Sequence, residues 1–450
     1  MVQPSQHRRG SVGEGVLSAA AGQRAGGATT PLFEDAGLER RGGMLLLAGV
    51  SLVDIAAEAG TPTFVYNAGA IRERYRSLDS ALGSLPHRIC FAVKANSNLA
   101  VLRILRELGA GADIVSAGEM ARALAAGFDP GHIVFSGVGK SAEELQAAIR
   151  AGIGHLNVES IEELELIGRV AEAEQRQVRV GIRVNPDVTT DTHPYISTGK
   201  SGIKFGVPID QVAAAARYVL HHPQLELTTL AMHLGSQLVD TAPFRQGIRH
   251  LVELVEQLRR AGSATLRVLD IGGGLGIRYS DERWMKPAEF AAAVVPLLAP
   301  TGLEIYLEPG RFLVGSAGVL LTRVLYRKHS GGKEFVVVDA GMNDLVRPSH
   351  YQAYHEIVEL VEQGRSPTRV DVVGPVCETG DFLALDRSLP GLEAGDALAV
   401  LGAGAYGFVM ASNYNSRPRP PEIIADGGKW WVARTREKVE ELFEGERMSP

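Results

Sequence analysis

Lysine, histidine and glutamate seldom end an apolar run unless something holds them there, and this chain places each of them so. Lys94 ends Ile-Cys-Phe-Ala-Val, His233 ends Leu-Ala-Met-His and Glu308 ends Ile-Tyr-Leu-Glu, while Gly272, Gly273 and Gly274 follow Val-Leu-Asp-Ile directly. A lysine avoids burial unless it is paired or reactive. A desolvated lysine amine loses basicity and can form a Schiff base with an aldehyde. Position alone leaves that reading level with a lysine that snorkels to a rim. Glycines after a strand let backbone N–H groups approach a phosphate at a helix N-terminus, although a tight turn explains them as well. Gly235 and Ser236 follow the preceding run and could face the same anion. His233 suits stacking on a flat ring or acid–base work, or is a satisfied core histidine. A carboxylate such as Glu308 can keep a pyridine nitrogen protonated, which improves the ring as an electron sink. An ion pair with Arg311 is the plainer alternative.

Farther along, Cys377 and Glu378 follow Val-Gly-Pro-Val, with Asp381 nearby. A buried cysteine is usually a small hydrophobe. Carboxylates beside it favour the neutral thiol, and a neutral thiol is what a proton donor requires. No metal-ligand set is read from the chain.

These groups can act together only if the fold carries them to one mouth. Short, β-branched runs recur at Phe64–Tyr66, Ile89–Val93, Asp113–Val115, Ile133–Ser136, His155–Val158, Val178–Val184, Leu230–His233, Val268–Ile271 and Ile305–Leu307. Amphipathic stretches such as Ser141–Ala151, Ile161–Glu174 and Phe244–Ala261 lie between them. The alternation predicts a parallel sheet covered by helices, and the count fits a closed (β/α)₈ barrel; an open, doubly wound sheet is the competing reading. In a barrel the reactive groups gather at the C-terminal strand ends, where Asn157, Glu159, Arg183 and Asn185 also fall. After Pro309, runs at Val319–Arg327, Phe335–Asp339, Val370–Val376, Leu398–Leu401 and Trp430–Arg434 read as strands of an all-β sandwich or small barrel, with a helical insertion near Tyr351–Gln363. Leu45–Val50 and Phe64–Tyr66 are expected to join it. The organisation expected is an extension over residues 1–43, outside the fold; a segment over 44–66 that contributes to the β domain; the barrel over 67–312; and the β domain over 313–450.

The bulk composition narrows the function classes. The chain has 450 residues, with 45% hydrophobic and 22% charged, enough for two domains of ordinary globular type. The net charge of −6 does not suggest a nucleic-acid partner. No apolar run is long enough to span a bilayer. The two cysteines, Cys90 and Cys377, point to a reducing cytoplasm rather than a disulfide framework. Arg8 and Arg9 in the Gly- and Ala-rich start lack the apolar stretch that a signal peptide needs.

Ala92-Val-Lys-Ala-Asn96, His193-Pro-Tyr-Ile-Ser-Thr-Gly199, Lys204-Phe-Gly206, His233-Leu-Gly-Ser-Gln237, Gly272-Gly-Gly-Leu-Gly276 and Glu308-Pro-Gly-Arg311 resemble the diaminopimelate decarboxylase family, among the pyridoxal-phosphate-dependent decarboxylases. So do Met342-Asn-Asp-Leu-Val-Arg-Pro348, Tyr351, Cys377-Glu-Thr-Gly-Asp381, Gly404-Ala-Tyr-Gly407 and Ser412-Asn-Tyr-Asn-Ser-Arg-Pro-Arg-Pro420, in order from about residue 50 to 430. The resemblance implies an alanine-racemase-like (β/α)₈ TIM barrel with a C-terminal all-β domain, and pyridoxal 5′-phosphate as cofactor. It implies that Lys94 carries the Schiff base and His233 stacks on the ring. Gly235, Ser236, Gly272, Gly273 and Gly274 would hold the phosphate with help from Tyr406, and Glu308 would pair with the ring nitrogen. Pro309, Gly310 and Arg311 would complete the cofactor wall. Arg311, Arg347, Tyr351, Glu378 and Tyr406 would bind substrate, and Cys377 would protonate the carbanion. Cys377 and Glu378 would reach the partner's active site in a homodimer.

Two arginines suit a distal carboxylate, and a glutamate suits an amine on the same carbon. That set favours diaminopimelate over ornithine or arginine, whose relatives need no distal arginine. A site built to bind a group can reject analogues lacking it by roughly 10⁴-fold. A non-catalytic cofactor-binding protein and a racemase are readings from other classes; intact Lys94, Glu308 and Cys377 weigh against the first, and the paired arginines against the second.

Overall fold

The computed structural model describes residues 31–188 and 204–448. The start of the chain with Arg8 and Arg9, and the His193–Gly199 motif, lie outside the described residues. The central unit is a closed barrel of parallel strands, labelled here β1 (His87–Ala92), β2 (Gly111–Ile114), β3 (Ile133–Phe135), β4 (His155–Val158), β5 (Val178–Asn185), β6 (Leu225–Ala231), β7 (Val268–Asp270) and β8 (Glu304–Leu307). Consecutive strands pair in parallel register around the ring, and β8 closes it on β1 through Ile305 opposite His87. The closed barrel holds, not the open sheet. Strands covered on both sides need no polar face, and β2, β3 and β4 are buried along their whole length.

Local chemistry sets the helices between the strands. Ser141 and Glu144 form a reciprocal capping box that starts Ala142–Ala151, and Gly152 ends that helix at φ 74°. Such a box satisfies two amides that the helix start leaves unpaired. Ser160 caps Ile161–Glu174 in the same sense through the Glu163 amide. The longest helix, Ala242–Arg260, turns Phe244, Ile248, Leu251, Val255 and Leu258 onto the barrel, as the helical spacing predicts.

The second unit is mostly β and is built from both flanks of the barrel. Its sheet runs Phe382–Pro390, Pro367–Val373, Lys333–Val338, Gly318–Ser330, Thr63–Asn67, Glu422–Asp426, Lys429–Arg434. The long Gly318–Ser330 strand also pairs with Ala397–Val400, which pairs with Ile357–Glu359. Thr63–Asn67 lies antiparallel to Gly318–Leu321 and parallel to Glu422–Ala425. The helical insertion expected near Tyr351–Gln363 is not there. A short helix, Arg347–Tyr351, ends at Gln352 in the left-handed region, and Ile357–Glu359 is a strand with alternating burial. Phe382–Pro390 and Glu422–Asp426 are strands that the pattern did not announce.

Residues 31–43, expected outside the fold with the rest of the extension, form helix Pro31–Ala36 and strand Leu38–Arg41. Phe33, Ala36 and Leu38 sink into a core shared with Leu45, Leu47, Val65, Val319, Ala399 and Ile423. That apolar contact outweighs the polar texture of the segment.

Candidate active site

Lys94 leaves β1 in a single 3₁₀ turn, Val93–Ala95, which tips its side chain across the barrel mouth. Its Nζ lies 2.8 Å from Asp113 Oδ2, at the end of β2, with that carboxylate fully buried. Burial disfavours the ammonium, but Asp113, then Glu308 and Tyr406, outweigh it and hold the amine above its ordinary value. The sequence expectation, that desolvation alone lowers it, therefore fails: three acidic groups surround this lysine.

Glu308, at the end of β8, is buried, and its carboxyl stands well above the ordinary range through burial, then Asp113 and Asp270. Asp270, at the end of β7, is pushed up to about 6, again chiefly by burial. Glu308 and Asp270 lie close enough that each acts on the other's protonation. Ser136 Oγ donates to Glu308 Oε1 at 3.3 Å. His233 follows β6; burial first, then Arg183 and Lys94, pull its imidazole well below the usual range, so it is neutral. Its Nδ1 accepts the Gly273 amide at 3.2 Å.

The glycines are packed too tightly to be anything else. A Cβ on Gly272 would sit 2.3 Å from the Met232 carbonyl oxygen, one on Gly273 2.1 Å from that of Glu308, and one on Gly274 2.4 Å from that of Gly235. Gly272 and Gly274 also have φ of 70° and 101°, a region that side chains disfavour. Opposite them Tyr406 hangs from a left-handed residue (φ 56°) whose amide donates to the Ala95 carbonyl. Lys94, His233, Ser236, Gly274, Glu308, Gly310, Arg311 and Tyr406 line one cavity, and Pro309 accepts the Ala92 amide beside it.

On the outer side of this cavity lie the arginines. Arg311 is buried; its Nη1 donates to Tyr279 Oη at 2.6 Å, its Nη2 to Ser236 Oγ at 3.0 Å, and its Cζ is 4.9 Å from the Tyr406 ring centre. Arg347 comes from the β domain; it is buried, with Nε donating to His355 Nε2 at 3.3 Å and Cζ 5.2 Å from the Tyr279 ring centre. Tyr351 follows on the same short helix. Cys377 and Glu378 are not brought to this cavity by their own chain. Both are exposed; the Cys377 amide donates to Asn415, and Glu378 hydrogen-bonds Tyr414.

A family model described as pyridoxal-dependent decarboxylase, pyridoxal binding domain, matches residues 68–315. The diaminopimelate decarboxylase of Pseudomonas aeruginosa is 49% identical over 406 residues, which is 90% of this chain and 97% of that one. That of Aquifex aeolicus is 45% identical over 408 residues, 90% and 96% of the two chains. The solved diaminopimelate decarboxylase of Helicobacter pylori, complexed with L-lysine, superposes with a TM-score of 0.84 at 41% identity, covering 87% of this chain and 98% of that one. The chain belongs to the diaminopimelate decarboxylase family.

As a member of the diaminopimelate decarboxylases it uses pyridoxal phosphate, and the residues present fit that group. Asp113 Oδ1 and Asp270 Oδ2 are buried without a hydrogen-bond partner among the described residues. With Glu308 they outnumber Lys94 as charge-bearing groups, an imbalance that a protonated pyridine nitrogen would offset. Gly274 of the glycine cradle lines the same cavity, with Ser236 and Tyr406 as hydroxyl donors. Sequence reasoning on this diaminopimelate decarboxylase missed Asp113, Asp270, Tyr279 and His355. The signal for the first two was present: an aspartate inside an otherwise apolar strand. Tyr279 and His355 lie in loops with no pattern to mark them.

Proposed function

We propose that this chain decarboxylates meso-2,6-diaminopimelate to L-lysine and carbon dioxide, the last step of lysine biosynthesis, as a cytoplasmic homodimer with shared active sites. The observation that carries the reading is the pair of buried guanidiniums, Arg311 on the wall of the cavity of Lys94 and Glu308 and Arg347 beside the same Tyr279 ring. A substrate ending in a bare cation would meet two buried positive charges there and be repelled. A distal carboxylate is attracted, in a fork geometry that guanidinium suits.

Pyridoxal phosphate, when bound, supplies a sink for the electron pair left on Cα as carbon dioxide departs. The chain's residues do the rest. Lys94 Nζ is the amine that would hold the cofactor's aldehyde. Glu308 would keep a proton on the ring nitrogen. His233, neutral, would add no charge beside the cofactor. Gly235, Ser236, Gly272, Gly273, Gly274 and Tyr406 would grip the phosphate, with Pro309 and Gly310 closing the wall. Arg311, Arg347 and Tyr351 would hold the distal carboxylate and so orient the substrate. Cys377 of the partner subunit delivers the proton to Cα, and Glu378 of the partner subunit meets the distal amine. The exposure of both residues in their own chain is consistent with that exchange.

The test is carbon dioxide release by the purified holoenzyme offered meso-diaminopimelate, L-ornithine and L-arginine in parallel. Release from diaminopimelate alone, with L-lysine formed and activity lost in Lys94→Ala, is expected. Release only from a basic amino acid overturns the roles of Arg311 and Arg347, and no release from any of the three overturns the decarboxylase.

A further inference from the structure

We infer that Tyr279 and His355 are positioning residues that lock Arg311 and Arg347 into one clamp for the substrate's distal carboxylate. The inference rests on the proposed substrate and adds a mechanism for its selection.

The two arginines come from different units: Arg311 from the turn after β8 and Arg347 from the β domain. Buried guanidiniums near one another repel, so something must hold them together before an anion arrives. Tyr279 stands between them. It is buried, in the loop after β7, and its ring centre lies 5.9 Å from Arg311 Cζ and 5.2 Å from Arg347 Cζ. An aromatic face carries negative charge density and attracts the Arg347 cation. Its phenol oxygen accepts from Arg311 Nη1 at 2.6 Å.

The ring is itself held on several sides. The Tyr279 amide donates to Glu282 Oε1 at 2.6 Å. Gln237 straps the loop through the Ile277 amide and carbonyl. Gly402 packs so closely that a Cβ there would lie 3.1 Å from the ring. His355 meets the ring edge-on, with centroids 5.3 Å apart and planes at 77°.

His355 also fixes the second arginine. It is fully buried, and its Nδ1 lies 2.8 Å from the Leu401 carbonyl oxygen. A carbonyl only accepts, so Nδ1 carries the proton and Nε2 is left as the acceptor. Nε2 takes the Arg347 Nε–H at 3.3 Å. Burial, then Arg347, keeps the imidazole neutral by pulling it down to about 3. With Nε engaged, the Arg347 terminal nitrogens have no hydrogen-bond partner among the described residues and are free to meet a carboxylate. Neither Tyr279 nor His355 needs to touch the substrate.

The test compares two inhibitors of the holoenzyme that differ in one group. L-lysine carries the distal carboxylate; 1,5-diaminopentane lacks it. In Tyr279→Leu and His355→Leu the KM for meso-diaminopimelate and the Ki for L-lysine should rise about tenfold or more, the scale of one charged hydrogen bond. The Ki for 1,5-diaminopentane and the absorbance of bound cofactor should not move. Tyr279→Phe keeps the ring and removes the acceptor, so it should show part of the same split; it also stands in if the leucine variants fail to fold. Equal weakening of both inhibitors, or an unchanged Ki for L-lysine, overturns the inference. Wild-type enzyme that releases no carbon dioxide from meso-diaminopimelate overturns the substrate reading beneath it, a result separable from the first two.

Discussion

At the scale of single residues, the site is governed by carboxyl groups that burial has pushed upward. Glu308 is the one whose charge the chemistry needs. Glutamine has nearly its shape but cannot hold a proton on a ring nitrogen by charge. Glu308→Gln is therefore expected to keep its cofactor, read from the absorbance of the holoenzyme, and to lose turnover by about 100-fold or more, the scale of one removed transition-state contact; near-normal turnover would refute the role. Asp344 reports on stability instead. Burial lifts its carboxyl to about 7, although the Gly341 amide bound at 2.9 Å works the other way. The unfolded chain titrates that group near its ordinary value of about 4. Its protonation therefore favours the fold below about pH 4, and the contribution fades as pH rises through about 7. The thermal midpoint should fall by about 2 °C or more between pH 5 and pH 8. Asp344→Asn, which cannot ionise, should flatten that part of the profile, and an unchanged slope would count against the assignment.

At the scale of elements, the barrel strands and their helices were legible because their signals are local. Apolar runs bounded by caps such as Ser141 and Ser160 mark them without reference to the rest of the chain. The β domain was legible only where an apolar run was bounded by turn residues, as in Gly318–Ser330. Phe382–Pro390 is interrupted by Asp386 in the left-handed region and by register shifts against its neighbour. Glu422–Asp426 begins with a buried glutamate, satisfied by Tyr66 and Arg434. Tyr66 is far from it in sequence and Arg434 lies on the next strand, so no strand-length window shows that the charge is paired. The same limit hid Tyr279, whose partner Arg311 lies 32 residues on, while His355, eight residues after Arg347, sits in a loop with no periodicity. The glycine loop after β7 is the element on which the cofactor depends most. Gly273→Ala forces a Cβ to within 2.1 Å of the Glu308 carbonyl oxygen, so backbone must move on the residue beside the ring nitrogen. That variant should bind pyridoxal phosphate at least about tenfold more weakly, one unit of about 1.4 kcal/mol, by fluorescence titration; wild-type affinity would mean the loop gives way elsewhere.

At the scale of the whole molecule, the proposed roles of the exposed Cys377 and Glu378 would make assembly part of the chemistry. If each site takes Lys94 from one subunit and Cys377 from the other, two inactive homodimers, Lys94→Ala and Cys377→Ala, should regain activity when their subunits are exchanged. Random pairing makes half the dimers mixed, and each mixed dimer has one intact site of two, giving about a quarter of wild-type activity in a symmetric dimer. No recovery after verified exchange would place both residues in sites of a single subunit. The joint between the two units carries a different consequence. Thr63–Asn67 finds its neighbours only at Gly318–Leu321 and Glu422–Ala425, on the far side of the barrel in sequence. A ribosome making this chain therefore releases Phe64, Val65 and Tyr66 long before their strand neighbours exist to pair with them. The barrel can close while that strand still waits, and a nascent chain with apolar residues exposed invites chaperones and aggregation alike. Arg347 also emerges after the barrel is complete, so a half-made enzyme has Lys94, Glu308 and Arg311 before it has the second arginine of the proposed clamp.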